Sequence, residues 1–241
     1  MTLATSAPGS VPDRAHDLAM LLKENYGDDM RPSFLQVKFP SGAATQFTLP
    51  GPNGDMLVES LTGVVVGHHP ARAYWPDTET RGQPPTCSST NGKTGSGNPG
   101  GPCAICPFNA WGSDPKGGRG KACKEMRRIY LLRDNTLMPI VITLAPTSLA
   151  SFQEHLDVLM ASGGRLRHIR TRLTLRTERN QRGDQYPLTV IRKAGDLNPT
   201  EAHEMSIMAE ALAPYLGDTP VIATEYLPAS IPSEPSNITE A

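Results

Sequence analysis

The spacing of apolar positions changes several times along the chain, and each change marks an element. Leu18, Leu21 and Leu22, with Ala15 and Ala19, recur at helical spacing and predict a short helix over Asp13 to Tyr26. From Phe34 the pattern shortens. Phe34, Val37, Phe39, Phe47 and Leu49 flank Ser41-Gly42 and predict a hairpin. Leu57 to Trp75 is rich in β-branched residues (Val58, Val64, Val65, Val66) and is interrupted by Gly63 and Gly67. Glycines inside a strand mark a bulge or sharp bend, the device by which a small sheet curls.

Strand character returns at Arg128 to Arg133 and at Pro139 to Leu144, across an Asp134-Asn135 turn. Pro146-Thr147-Ser148 opens a helix with Thr147 or Ser148 as its cap, Leu149, Phe152, Leu156 and Leu159 keep its period, and Gly163-Gly164 ends it. His168 to Thr177 alternates Ile169, Leu173 and Leu175 with arginines, and Tyr186 to Arg192 is its hairpin partner. Asn198, Pro199 and Glu201 are a helix start close to a capping box, for a helix running to about Tyr215. Strands on both sides of one central helix, with flanking helices, predict a mainly β, α+β protein with an OB-like, partly open barrel. An α+β sandwich reads similarly. The organisation that follows is an arm and short helix over 1–30, a binding domain over 31–195, and a C-terminal helix with an acidic, disordered tail over 196–241.

Residues 76–123 break this pattern. Gly, Pro, Ser, Asn and Thr dominate, and a loop of that length in a compact domain is disordered or tied down. All four cysteines, Cys87, Cys103, Cys106 and Cys123, lie inside it. A Cys-x2-Cys pair between prolines can present two thiolates to one ion from a tight turn, and the outer pair would pin the flanks of the loop to its middle. Four thiolates form a closed structural site that suits zinc best, inserted at about 76–124. An iron–sulfur cluster takes the same ligands. Disulfides, a redox-active Cys103/Cys106 pair and unrelated buried thiols are weaker readings in a chain whose first residues, Met1 to Pro12, lack the features of a secretory signal. That start, and the lack of any apolar run near ~20 residues, predict a cytoplasmic protein away from membranes.

The net charge of −1 points to no partner, but its distribution does. Arg81 to Arg133 holds nine Lys/Arg against Asp114 and Glu125, and Arg165 to Lys193 holds nine against Glu178 and Asp184. After Lys193 only acidic charges remain, eight of them. Such asymmetry points to a polyanion partner and an acidic tail. Aromatic residues cluster where the first basic stretch lies: Tyr74, Trp75, Phe108, Trp111 and Tyr130 interleave with Lys116, Arg119, Lys121, Lys124, Arg127 and Arg128. Rings that stack bases beside cations that hold phosphates are what single-stranded nucleic acid requires. Arg165, Arg167, Arg170 and Arg172 would add phosphate contacts. The competing reading is packing, with Trp111 or Phe108 covering the metal and Trp75 in the core. No paired-acid cluster, nucleophile elbow or H-E-x-x-H motif supports catalysis, and the expectation is a protein that is no enzyme.

The runs Cys87 to Gly92, Cys103-Ala104-Ile105-Cys106-Pro107-Phe108-Asn109-Ala110-Trp111-Gly112-Ser113 and Gly118 to Lys124 resemble a group of phage and prophage single-stranded DNA-binding proteins. In that group a zinc-binding insert interrupts an OB-like domain, and the likeness extends over roughly residues 57–195. More distantly the chain is similar to the helix-destabilising proteins of T-even phages, whose zinc ligands include a histidine where this chain offers a fourth cysteine. The resemblance implies sequence-tolerant binding of single-stranded DNA in replication or recombination, in a host cytoplasm. It also implies recruitment of replication or recombination proteins by the acidic tail. Two other readings stay open: a nucleic-acid-processing enzyme with a four-cysteine metal or iron–sulfur site, and a zinc-stabilised adaptor that binds protein.

Overall fold

The computed structural model describes residues 14–40, 43–76, 84–115, 117, 119–180 and 183–217. In chain order its elements are α1 (Arg14–Tyr26), β1 (Phe47–Leu49), β2 (Met56–Val58), β3 (Ser60–Tyr74), β4 (Cys87–Ser89), β5 (Thr94–Gly97), β6 (Gly101–Pro102), β7 (Lys124–Leu132), β8 (Ile140–Leu144), α2 (Leu149–Ala161), β9 (Ile169–Arg179), β10 (Gln185–Asp196) and α3 (Pro199–Leu212). The protein is mainly β, with a large antiparallel sheet and a few helices. Among the described residues no helix is long and apolar enough to cross a membrane.

Strand β3 organises the sheet because it is long enough to serve three neighbours. Its first residues pair with β9 (Leu61 opposite Leu173), its middle and end with β7 (Val64 opposite Leu132), and its last three with β4 (Tyr74 opposite Cys87). The register slips between Val65 and Gly67, which is the bulge that the glycine-interrupted sequence predicts. β7 continues to β8 and β9 to β10, giving the order β8-β7-β3-β9-β10 with α2 connecting β8 to β9. Among the described residues no ladder joins β8 to β10, so the sheet does not close into a hydrogen-bonded barrel.

β3, β7 and β8 are buried on both faces, and alternation along them sorts side chains between two cores, whereas β9 and β10 bury one face and turn arginines outward on the other. One face sends Leu61, Val65, Ile129, Leu131, Ile142, Leu173 and Ile191 inward, where Phe152 of α2 closes the core. The opposite face sends Val64, Val66, Tyr130, Leu132 and Val141 against Leu18 of α1 and Met205, Met208 and Leu212 of α3. Burying each such side chain contributes about 1.5–3 kcal/mol, which is what holds the two helices on the sheet. α3 begins with a complete capping box: Asn198 Oδ1 accepts from the Glu201 amide, and Glu201 Oε2 accepts from the Asn198 amide.

The structure corrects three expectations. The hairpin expected over 34–49 is reduced to a single Lys38–Thr48 bridge, and Ser41-Gly42 lie outside the described residues. Phe34 and Val37 instead enter different cores, which holds the segment beside β8 through bonds between Val37 N and Val141 O and between Val141 N and Leu35 O. The hairpin actually formed joins β1 to β2. Ser148 does not cap α2 with its side chain: its hydroxyl accepts the Thr189 amide across to β10, after a 3-10 turn over Pro146–Ser148. The long cysteine-bearing loop has a ladder of its own, β4 to β5 to β6, built onto the end of β3. The tail after Gly217 lies outside the described residues.

Candidate metal centre and nucleic-acid interface

The segment between β3 and β7 cannot stand on apolar packing. From residue 84 to 123 the only described side chains that are buried are Ser89, Cys103, Ala122 and Cys123. Ordering a residue costs ~1–2 kcal/mol of backbone entropy, and the described residues of this segment bury too little apolar surface to offset it. What it has is local hydrogen bonding. Asn91 Oδ1 accepts from Ser89 Oγ and from the amides of Lys93 and Thr94, folding the β4–β5 connection into an Asx turn. Two 3-10 turns, Cys103–Ile105 and Pro107–Asn109, form the Cys-x2-Cys knuckle, and the Cys123 amide donates to Phe108 O.

These turns bring all four cysteines to one cavity of about 20 Å³, together with Arg72, Tyr74, Phe108 and Asn109. A space of that size takes one water-sized particle. The close approach is built in: a Cβ on Gly95 would lie 2.9 Å from Cys87 Sγ. Burial pushes the Cys123 thiol up to about 11; Arg72 acts against this, and the other three cysteines add to it. The thiols surround the cavity more loosely than a coordination sphere, and no described group of three or more His, Cys, Asp or Glu is gathered tightly enough to hold an ion as it stands. Neutral thiols gain nothing by converging. Thiolates around a dication would. The donor set matches a soft four-coordinate ion in its chemistry, four thiols around one small cavity, and not in its spacing.

The residues expected to meet nucleic acid separate into three groups. Trp111 is 77% exposed, with Lys121 Nζ 4.8 Å from its ring centre, and Arg119, Arg165, Arg167 and Arg172 are exposed. Tyr74 and Phe108 stack on each other (centroids 4.2 Å apart, planes at 14°) beside the cysteine cavity, and Trp75 is half-buried against Ala71, Ala73 and Met126. Several cations are committed elsewhere. Lys124 holds Asp114 at 2.7 Å, Arg127 donates to His68 Nδ1 at 2.8 Å, and Arg170 meets Glu201 at 3.1 Å and Asp134 at 3.5 Å.

Two assignments are corrected outright. Tyr130 and Arg128 are 0% exposed and cannot meet a base or phosphate at this surface. Tyr130 packs edge-on to Phe34 at 5.2 Å, and its hydroxyl meets His69 Nε2 and the Leu216 carbonyl. Lys116 lies outside the described residues.

Two residues that the sequence reading passed over stand at the centre of the module. Arg72 donates from Nε to Gly92 O (3.1 Å) and from Nη1 to Asn109 Oδ1 (2.5 Å), with Nη2 at 3.6 Å from Glu125. Asn109 Nδ2 donates to Cys103 O at 2.8 Å, and its Oδ1 also accepts from Lys121 Nζ at 3.2 Å. A hint lay in the alternation: Arg72 is a lone cation between Ala71 and Ala73 in a buried strand. No family model matches the chain, and neither a curated protein nor a solved structure proves similar to it.

Proposed function

We propose that this protein binds single-stranded DNA without sequence preference, through an OB-like domain carrying a four-cysteine zinc module, and that it acts in phage-type replication or recombination without being an enzyme. One observation carries the reading. An exposed tryptophan with a lysine over its ring sits on a module inserted between β3 and β7, the first two in sequence of the strands in the run β8-β7-β3-β9-β10. The order β8-β7-β3-β9-β10, with a helix between the third and fourth of these strands in sequence, is the outline of a partly open Greek-key barrel. In that outline the loop between the first two strands and the loop between the last two contact oligonucleotides. Here the first is the cysteine module, and the second joins β9 to β10.

Bases would stack on Trp111 and on the Tyr74–Phe108 ring pair, while Arg119, Arg165, Arg167 and Arg172 hold phosphates. Zinc, bound by Cys87, Cys103, Cys106 and Cys123, would supply the folding energy that the module lacks in apolar burial. A role for the acidic tail in recruiting replication or recombination proteins belongs to the same reading. Salt dependence tests it. Four phosphate contacts give a slope of about −3 in log affinity against log salt for a single strand. In fluorescence-anisotropy titrations, oligo-dT should bind with that dependence and more tightly than duplex of equal length. Equal affinity for duplex, or none for either, would end the proposal. The exposed Ile105 (82%) beside the same knuckle favours the second reading, a zinc-stabilised adaptor for protein partners, which predicts weak and unselective polyanion binding.

A further inference from the structure

Resting on the metal reading above, we propose that Arg72 is the internal counter-cation of the four-cysteine centre and the strut that seats the module on the sheet, so that metal loading and docking are one event. Arg72 stands on β3 where that strand is paired on both sides, opposite Ser89 of β4 and Glu125 of β7. Arg72 lines the cysteine cavity, and its guanidinium reaches three separate parts of the module's frame: Gly92 in the β4–β5 turn, Asn109 in the knuckle and Glu125 on β7. A dication held by four thiolates keeps two negative charges, which a fixed positive partner stabilises, and Arg72 is the one cation among the described residues that line the cavity. Arginine suits the place because its charge is permanent and its planar fork serves several acceptors in fixed directions. The identity of Asn109's amide ends follows from its neighbours: the oxygen faces two cations, and the nitrogen faces the Cys103 carbonyl. Asn109 thereby passes the position of Arg72 to the backbone of the first knuckle cysteine. Both are positioning residues, acting on the ligands and not on the ion.

The experiment uses the full chain with Arg72→Met and Arg72→Lys. Zinc affinity is measured by competition with a chromophoric chelator, tryptic cleavage at Lys93 and Arg119 is followed with and without zinc, and far-UV circular dichroism checks the sheet. Loss of an outer-shell partner weakens metal binding by about 10–100-fold. Arg72→Met should lose that much and leave the module open to trypsin even with zinc added, with the sheet retained. Arg72→Lys, which keeps charge without the fork, should recover part of the affinity. Arg72→Met binding zinc within about twofold of the unmodified chain, against the 10–100-fold expected of an outer-shell partner, would overturn the proposal. So would Arg72→Lys binding no better than Arg72→Met. If the Met variant fails to fold, a several-fold loss in Arg72→Lys still supports the role and an unchanged affinity overturns it. An unmodified chain that binds no zinc overturns the metal reading itself, whereas normal zinc binding with indifferent variants overturns only the role of Arg72.

Discussion

Gly63→Ala tests the point on which the architecture turns. Gly63 is where β3 passes from pairing with β9 to pairing with β7. A Cβ built there lies 2.4 Å from Leu132 O, 2.9 Å from the Leu132 carbonyl carbon and 3.1 Å from Leu131 Cγ. Even a favourable C–H···O contact needs about 3.3 Å between carbon and oxygen, so the added methyl falls roughly 0.9 Å short of room. The obstructing atoms are mostly backbone, and the strand they belong to carries Leu131 into one core and Leu132 into the other. No side-chain rotation can relieve the clash, so β7 has to shift. Overpacking that displaces backbone costs about 3 kcal/mol, a large part of a domain's usual ~5–15 kcal/mol. Gly195→Ala is the control, since nothing lies within 4 Å of its Cβ. Equilibrium urea unfolding followed by circular dichroism should show the large loss for Gly63→Ala and a change within about 0.5 kcal/mol for Gly195→Ala. If Gly63→Ala unfolds within about 0.5 kcal/mol of the unmodified chain, a difference ordinary for surface changes, β3 does not cross so close to β7 and the strand switch is wrong.

Three further predictions concern stability and binding. Burial holds the His68 imidazole down to about 4, with Arg127 and then His69 adding to the effect, and burial also lowers His69 and His155. The unfolded chain takes up protons near pH 6.5 while the folded chain does not, so stability is full above that pH and falls as pH drops from about 6.5 to 4. After discounting for partial exposure the His68 contribution is of order 1–2 kcal/mol, and a stability curve flat across that window would contradict it. Tyr130→Phe removes a hydroxyl that meets both His69 and Leu216, which should cost about 1–3 kcal/mol in thermal or urea unfolding while leaving DNA affinity unchanged. Trp111→Ala should do the reverse, losing the ~1–3 kcal/mol of a stacked base at constant stability. The opposite pattern in this pair would mean that the ligand face has been misplaced.

Much of the fold was legible because alternation and caps are local signals. Ile169, Leu173 and Leu175 against arginines described β9 correctly, and Asn198-Pro199 with Glu201 marked the start of α3. The four cysteines, far apart in sequence, line one cavity. Tyr130 and Arg128 were misread because a strand covered on both faces looks, in sequence, like one with an exposed basic and aromatic face. Only the packing of α1 and α3 on the outer side decides between them. The segment from Phe34 to Phe39 misled for a related reason: Phe34 and Val37 serve two cores, which a hairpin's single buried face cannot provide. Arg72 and Asn109 carry no motif, and their roles come from contacts between parts of the chain brought together by β3.

The most direct test of the central claim is one oligo-dT titration performed on metal-analysed protein before and after chelation, at fixed low salt. The account predicts about one zinc per chain, tight single-strand binding in the loaded protein, and loss of most of that affinity once zinc is removed, with the β-sheet signal in circular dichroism retained. Loaded protein that ignores oligo-dT, or chelated protein that binds it equally well, would contradict the account.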